Sequence, residues 1–295
     1  MENLENDLHL RPNDIVTVTE MGHITEIQYL EHMNTEPQIR KLSATHYADL
    51  KTGEIKEFQQ TNNRSEGYKS LYKTFKKLRY LINNNFVGGR NELFCTLSYG
   101  VRPRPMLGDS KRIADDFKLF FRRLKRKYGH IDFVRVLEPH ADGHAHLHVL
   151  LRFNEHRSVF IKNEEFSSYW QKGFVTVHSL KNVDNIGAYV SAYLTDIEVD
   201  GKVFGDILDK NEQVEVIEKE DKKYVKGGRL KYYPRGVQIY NKSKGIVEPK
   251  RTKMRYSEAK KIVGSGQPTF EKILFVEKDD FSNKIKFEQY NSKRL

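Results

Sequence analysis

The sequence lacks several features that define common protein classes. It has a single cysteine, Cys95, so no disulfide can form within the chain and an oxidising compartment is not indicated. No apolar run approaches the ~20 residues of a membrane span. The first residues, MENLENDLHL, lack the basic flank and apolar stretch of a signal peptide. We therefore expect a cytoplasmic protein with no membrane contact.

The chain also lacks the Gly-x-x-x-x-Gly-Lys-Ser/Thr pattern of a phosphate-binding loop, which excludes an ATPase of that type. What it has is positive charge: 51 Lys and Arg against 40 Asp and Glu give a net charge of +11. Such a charge favours a polyanionic partner, with nucleic acid the default candidate. A solvated basic surface explains the charge equally well.

Hydrophobic periodicity predicts alternating strands and helices over the middle of the chain. The patterns predict strands at 92–100, 130–138, 145–153 and 173–180, and helices at 65–84, 109–129, 162–172 and 182–196. This order favours an α+β fold in which helices pack against one face of an antiparallel sheet.

Outside this region the patterns are weaker. Residues 14–32 alternate and predict one or two strands with a turn at Gly22, whereas 34–60 are polar and irregular. Residues 212–236 resemble a charged hairpin, and 270–290 a further strand pair. We predict a β-rich N-terminal extension (1–60), a central domain (61–200) and a basic, aromatic, β-rich C-terminal region (201–295).

The stretch LEPHADGHAHLHVLL (137–151) places His144, His146 and His148 at alternate positions of a predicted strand. Alternate side chains share one face of a sheet, so the strand would present a row of imidazoles. A hairpin turn at Asp142-Gly143 would place Glu138 opposite His146, with Cβ atoms ~5 Å apart. Histidines on a sheet face are also commonly solvated or hydrogen-bonded without binding a metal.

Two imidazoles and a carboxylate that converge on one point form a set of ligands for a divalent ion. Three protein ligands would leave coordination positions open, which is typical of catalytic rather than structural sites. We predict that Glu138, His146 and His148 bind Mg²⁺ or Mn²⁺, with Zn²⁺ less favoured.

The histidine motif resembles that of the HUH endonucleases, specifically the rolling-circle replication initiators of plasmids and phages. HLHVLL (146–151) matches the histidine-hydrophobic-histidine core, and Glu138 matches the third metal ligand of the viral members. The resemblance implies a ferredoxin-like core. His144 falls where the family tolerates other residues, so we expect it to support the ligands or contact DNA.

IGAYVSAYLTD (186–196) places Tyr189 and Tyr193 four residues apart, on one face of a predicted helix. Tyrosines at this spacing most often pack in a core. The resemblance points instead to the two tyrosines of the family's Tyr-x-x-Lys-Tyr-x-x-Lys helix, which attack DNA. The chain departs from the pattern at Ala192 and Asp196, where the family usually has lysines.

The resemblance covers about residues 90–200. Its first motif corresponds to FCTLSY (94–99), which places Thr96 and Ser98 near the site. We also expect basic and aromatic residues to contact DNA in the following loop, on the 109–128 helix and in the segment 229–245; they are Arg102, Arg104, Arg122, Arg126, Arg229, Tyr233 and Arg235. For Arg122 and Arg126 the alternative is a solvated helix end, and for 229–245 a β-rich packing element.

These observations predict a metal-dependent endonuclease and strand transferase that acts on single-stranded origin DNA through a 5′-phosphotyrosyl intermediate. Host helicase and DNA polymerase would be its partners, since the chain has no ATPase motif. A transposase or conjugative relaxase of the same superfamily, and a DNA-binding regulator without catalysis, remain alternatives. The sequence leaves the oligomeric state open.

Overall fold

The computed structural model divides into two compact units, one formed by Met1–Asn62 with Pro249–Leu295 and the other by Asn63–Glu248. The structure describes residues 8–33, 37–58, 68–100, 102–140, 143–195, 197–198, 216–219, 222–225, 233, 236–278 and 281–294. Within these ranges the backbone alone is described for residues 68–72, 191–198, 216–225, 278 and 281.

The described elements follow the predicted order closely between residues 68 and 195. The strands are β1 (Ile15–Met21), β2 (Ile24–Leu30), β3 (Ile39–Lys41), β4 (His46–Asp49), β5 (Ile55–Glu57), β6 (Glu92–Ser98), β7 (Ile131–Pro139), β8 (Ala145–Phe153), β9 (Val175–Ser179), β10 (Ile197–Glu198), β11 (Val216–Lys219), β12 (Lys222–Val225), β13 (Tyr240–Lys242), β14 (Lys250–Arg255), β15 (Phe270–Lys278) and β16 (Phe281–Asn291). The helices are α1 (Tyr68–Asn85), α2 (Ser110–Tyr128), α3 (Asn163–Trp170), α4 (Ile186–Thr195) and α5 (Tyr256–Val263).

The 63–248 unit is built on a five-stranded sheet in the order β13-β7-β8-β6-β9, in which each neighbouring pair is antiparallel. Its middle strand, β8, is buried along almost its whole length. Side chains on both faces are therefore covered, and the strand is apolar apart from its histidines and Arg152. This confirms the predicted α+β class with an antiparallel sheet.

Helices cover both faces of this sheet, rather than the one face predicted. We call the face that carries His146 and His148 the histidine face. Tyr189 of α4 contacts Phe94 there, and Arg152 donates a hydrogen bond of 2.8 Å to a carbonyl of α1, that of Asn85. On the opposite face Phe117 of α2 packs on Phe133, with ring centroids 4.9 Å apart. β8 is buried on both faces, so each face needs a cover, although on the histidine face its one apolar residue, Leu150, stands among His146, His148 and Arg152.

The other unit contains a five-stranded antiparallel sheet in the order β14-β1-β2-β16-β15, with α5 packed on it, and a small sheet in the order β3-β4-β5. Strands from the first 30 residues thus pair with strands from the last 46. The compact units differ from the predicted division, which assigned 1–60 and 201–295 to separate regions.

Residues between 200 and 248 contribute to the 63–248 unit instead. There β13 forms an edge of the five-stranded sheet, and β11 and β12 form a small sheet with β10, which lies just before residue 200. Among the residues that the structure describes, no helix combines the length and apolar character needed to cross a membrane.

Candidate metal centre and neighbouring tyrosine

The hairpin formed by β7 and β8 supplies the three predicted metal ligands. Glu138 pairs with His146 in the antiparallel register, as the turn position predicts. The connection closes with a hydrogen bond of 2.8 Å from the His140 N–H to the His144 carbonyl. Gly143 has a φ of +81°, which a residue with a side chain rarely adopts, so glycine is needed there. Asp142 lies outside the described residues.

Glu138, His146 and His148 lie together on the histidine face, and their side chains are buried, with 2%, 7% and 5% of their surface exposed. His146 Nε2 lies 2.6 Å from Glu138 Oε2 and 3.0 Å from His148 Nε2. Glu138 Oε2 also contacts His148 Nε2. One potential ligand atom from each residue, all within 4.8 Å of one another, thus faces a common point.

The second ring nitrogen of each histidine has a partner that fixes the ring. His148 Nδ1 lies 3.1 Å from Thr96 Oγ1, and His146 Nδ1 lies 2.8 Å from His140 Nε2. When an ion is bound, each Nδ1–H would donate to its partner and each Nε2 would turn its lone pair to the ion. This is the tautomer that a histidine needs to bind a metal through Nε2.

The electrostatics of the cluster favour an ionised carboxylate. Burial by itself would raise the pKa of Glu138, but hydrogen bonds and charge interactions with His146 and His148 outweigh it and hold that pKa well below its usual range. Glu138 is therefore an anion at neutral pH, although it is almost fully buried. Those hydrogen bonds come from Nε2–H groups, and a bound cation would replace their protons and neutralise the buried carboxylate.

These residues fit a divalent ion. Nitrogen and oxygen donors in one set suit Mn²⁺, Mg²⁺ or Zn²⁺, and three protein ligands leave coordination positions for water or for phosphate oxygens. The geometry thus supports a metal-binding triad at the predicted residues, without identifying the ion.

Tyr189 lies close to this centre, on the first turn of α4. Asn185 begins the helix: its side-chain oxygen accepts a hydrogen bond of 3.1 Å from the Ala188 N–H. The Tyr189 and Phe94 rings form an edge-to-face pair with centroids 5.9 Å apart. Phe94 in turn stacks on the His148 ring, with centroids 5.4 Å apart and an interplanar angle of 5°. One ring therefore separates the tyrosine from a candidate metal ligand, and Tyr189 is 36% exposed.

Contacts with α1 fix the start of α4. Asn83, which is buried, donates a hydrogen bond of 3.1 Å to Asn185 Oδ1 and accepts one of 2.7 Å from the Gly187 N–H. A Cβ atom on Gly187 would lie only 2.6 Å from the Arg79 carbonyl oxygen. The helices therefore approach as closely as a glycine permits. Tyr193 lies on the same helix, but its side chain falls outside the described residues.

Part of the predicted DNA-contacting set lies at the same end of the sheet. The Pro105 carbonyl accepts a hydrogen bond of 3.0 Å from the Ala145 N–H, and Met106 pairs with His144. The loop that carries Arg102 and Arg104 therefore runs beside the start of β8, next to His144. Arg102 is exposed and Arg104 is half-buried.

The remaining predicted contacts divide into three groups. Arg122 and Arg126 are exposed on α2, which covers the opposite face, so the structure does not bring them to the metal centre. Arg229 and Arg235 lie outside the described residues. Tyr233 is fully buried, donates a hydrogen bond of 3.0 Å to the Leu137 carbonyl and contacts Phe75. The prediction that Tyr233 stacks on DNA is therefore wrong for this structure, because its ring fills the core.

Sequence reasoning missed three residues that shape the site: Phe94, Asn83 and His140. Phe94 shares the alternation of Thr96 and could have been placed on the histidine face by its spacing of two. Asn83 carries no such signal, because an asparagine near the end of a helix usually indicates only a helix stop. His140 lies in the hairpin connection, where side-chain direction does not follow from alternation.

Comparison with known proteins agrees with the motifs. Residues 92–198 match the family model described as Replication-associated protein ORF2/gene 2 protein. The matched range begins at β6 and ends just beyond α4, so it contains the three candidate ligands and both tyrosines. No curated protein and no solved structure matches the chain. The match confirms the resemblance to rolling-circle replication initiators and supports a replication-associated protein.

Proposed function

We propose that this protein is a metal-dependent endonuclease and strand transferase that nicks single-stranded origin DNA and thereby initiates rolling-circle replication. One observation carries the proposal: a buried Glu138–His146–His148 cluster has a partly exposed tyrosine next to it, across a single phenylalanine ring. The match of residues 92–198 to a replication-associated family supports the same conclusion.

Glu138, His146 and His148 would hold a divalent ion, whose charge would polarise the scissile phosphate and favour the phenolate form of a nearby tyrosine. The Tyr189 or Tyr193 oxygen would attack phosphorus while the bond to the 3′ oxygen breaks. The phenol loses its proton and the departing 3′ oxygen gains one, so the products are a 5′-phosphotyrosyl protein and a free 3′-OH. No oxidant or energy source is needed, because one phosphodiester replaces another.

The second tyrosine provides a route for rejoining. After one round of synthesis it would attack a regenerated origin, and the released 3′-OH would then attack the first phosphotyrosine and close a circle. Ala192 and Asp196 stand where the resembled family usually has lysines. We propose that Arg102 and Arg104, from the loop beside β8, help to neutralise the phosphate instead.

The same proposal defines the partners. Single-stranded or hairpin origin DNA would be the substrate, a host helicase would unwind the duplex and a host polymerase would extend the 3′-OH, all in the cytoplasm. Arg102, Arg104 and His144 would contact the strand close to the centre.

The test is a nicking assay on labelled hairpin oligonucleotides tiled from the DNA that flanks the chain's own gene. With Mn²⁺ we expect a protein-linked product that survives denaturation. Glu138→Gln should abolish that product, because a neutral amide replaces the anionic ligand, and His178→Ala, on exposed β9, serves as the matched histidine-face control. Single and double Tyr189→Phe and Tyr193→Phe variants identify the nucleophile.

A product that persists in the double tyrosine variant would contradict the proposal. Tight binding to every origin fragment without cleavage of any would favour a DNA-binding regulator. Cleavage confined to transposon ends or transfer origins would favour a transposase or a relaxase.

A further inference from the structure

A second feature of the histidine face lies outside the metal centre. Four residues form one row across the sheet: Glu138 pairs with His146, His146 pairs with Ser98, and the Ser98 N–H donates a hydrogen bond of 2.9 Å to the carbonyl of Phe174. Phe174 continues the register by which Leu97 pairs with Val175 and Thr96 with Thr176. Because paired residues share a face, Phe174 lies on the histidine face, in line with two of the metal ligands.

The spacing of this row is set by the sheet. Phe174 is two strands from His146, which corresponds to about 10 Å at the usual strand separation. A nucleotide next to a phosphate bound at the metal centre has its base within that range. Yet Phe174 is 78% exposed, whereas the three ligands in the cluster are buried.

The backbone at Gly100, packed closely against Gly173, forms a platform beside the Phe174 ring. A Cβ on Gly100 would lie in van der Waals contact with the Phe174 ring, at 3.5 Å, and tightly against the Gly173 Cα, at 3.2 Å, so the Gly100 backbone borders the ring. A Cβ on Gly173 would lie 2.2 Å from the Gly100 nitrogen. The backbone thus supports the ring from one side and leaves the rest of it open.

We infer that Phe174 stacks on an unpaired nucleobase of the DNA strand bound at the metal centre. This inference rests on the proposed function and names a contact for its substrate. Aromatic side chains bind single strands by stacking, which tolerates any base. In a duplex the base faces are already stacked on one another, so the site would select single-stranded DNA.

Charge around the platform fits a nucleic-acid strand. Gly100 leads directly into the loop that carries the exposed Arg102, and the whole chain has a net charge of +11. A single exposed phenylalanine is not unusual by itself. Phe160 is 84% exposed as well, but it lies at the opposite end of β6 from Phe174. Its neighbour Val159 donates a backbone hydrogen bond to the carbonyl of Arg90, just before β6 begins.

The first experiment measures binding of full-length protein to a fluorescein-labelled oligothymidylate, by anisotropy at low ionic strength in EDTA. Phe174→Ala should weaken binding by about 5- to 150-fold, the range expected for losing one base–aromatic stack. Phe174→Trp should retain or exceed wild-type affinity, and Phe160→Ala should match wild type. Binding to a duplex of equal length should not depend on Phe174.

A second readout locates the contact. The protein has one tryptophan, Trp170, which is fully buried, so Phe174→Trp adds an exposed fluorophore. Oligothymidylate should quench the added emission strongly in F174W and weakly in F160W. Equal quenching in both variants, or wild-type affinity in Phe174→Ala, would overturn the inference.

The two proposals fail separately. Nicking activity together with unchanged binding by Phe174→Ala would retain the endonuclease and reject the stacking contact. Weakened single-strand binding by Phe174→Ala, in a protein that never forms a covalent product, would retain the stacking contact and reject the endonuclease.

Discussion

Glu138, His146 and His148 each direct one potential ligand atom to a common point. Each histidine also contacts a neighbouring side chain through its other ring nitrogen. Thr96 contacts His148 Nδ1, and His140 contacts His146 Nδ1. Such contacts orient the ring and select its tautomer, so we expect them to raise the affinity for a metal although they would not touch the ion. Of Thr96 and His140, Thr96 is simpler to test, because valine has nearly the same shape as threonine and lacks the hydroxyl.

Thr96→Val should therefore weaken Mn²⁺ binding by roughly 10- to 100-fold, the usual cost of losing a partner behind a metal ligand. Isothermal titration calorimetry on the full-length protein measures the affinity directly. Thr176→Val is the matched control, since Thr176 is the exposed cross-strand neighbour of Thr96 on β9. Equal affinities in the two variants would show that the Thr96 hydroxyl does not orient His148.

The sequence predicted that the three candidate ligands would cluster, because alternation along a strand and a hairpin turn are local rules. Glu138, His146 and His148 required only a strand period of two and the position of one turn. Tyr233 shows the limit of composition: it stands among lysines and arginines, but whether its ring faces solvent or the core depends on contacts with residues as distant as Phe75 and Leu137.

The position of α4 depends on how closely it approaches α1. The Gly187 N–H binds Asn83, and a Cβ at Gly187 would meet the Arg79 carbonyl at 2.6 Å. A methyl group there must push the two helices apart, which typically costs about 1–3 kcal/mol of stability. Tyr189 would move with the helix, and its contact with Phe94 would change.

Gly187→Ala should thus reduce the rate of covalent-adduct formation at least tenfold while Mn²⁺ affinity stays near wild type, because the ligands lie on β7 and β8. Quantifying the denaturation-resistant product over time, with calorimetry alongside, separates the two effects. Ala188→Ser, at the exposed neighbouring position, should behave as wild type. Loss of metal binding in Gly187→Ala would show that α4 supports the ligands and not only the tyrosine.

Asp132 ties three segments of the sheet together. Its carboxylate, which is buried, accepts hydrogen bonds from Arg152 (2.9 Å), Asn154 (2.9 Å) and Ser243 (2.8 Å). Burial raises its pKa, but these three hydrogen bonds outweigh burial, and the pKa lies below the ordinary value. The carboxylate therefore stabilises the fold fully above the unfolded-state pKa of about 3.9, and that contribution is lost as pH falls through the lower folded-state pKa.

Asp132→Asn should lower the free energy of unfolding by about 1.5–3 kcal/mol at neutral pH, the usual value of hydrogen bonds to a charged group. The difference from wild type should shrink as pH falls below about 4. Urea unfolding of the wild type, Asp132→Asn and the exposed-site control Asp115→Asn measures both effects. A difference that does not change with pH would mean that the Asp132 charge is not involved.

Elements between 68 and 195 were predicted well because they are long and strongly periodic. The stripe of Ile113, Phe117, Phe120 and Leu124 in α2 is an example, and all four are buried. By contrast, β3, β4 and β5 have three or four residues each, too few for a period to appear. β14 has the polar sequence KRTKMR, which does not predict a strand. It forms one because its backbone pairs with that of β1.

For the whole molecule, the first compact unit depends on both ends of the chain. β1 pairs with β14 and β2 pairs with β16, so four strands link positions more than 220 residues apart in sequence. No local pattern encodes such a pairing, which is why the predicted boundaries at 60 and 200 differ from those of the compact units. The 63–248 unit contains the whole candidate metal centre.

Deletion of residues 249–295 should remove the partners of β1 and β2 and unfold that sheet. In limited proteolysis followed by mass spectrometry, we expect new cleavage within Ile15–Leu30, while Glu92–Phe153 stays protected as in the full chain. Continued protection of Ile15–Leu30 would mean that β1 and β2 hold their structure without β14 and β16.

The most direct test of the central claim is to identify the protein atom that becomes linked to DNA. Full-length protein is incubated with Mn²⁺ and a cleavable origin oligonucleotide, digested with nuclease and trypsin, and analysed by mass spectrometry. We predict that the tryptic peptide 182–202 carries a nucleotide on Tyr189 or Tyr193, and that Glu138→Gln removes it. Cleavage that leaves a free 5′ phosphate and no nucleotide-bearing peptide, or a nucleotide on a different peptide, would contradict the account.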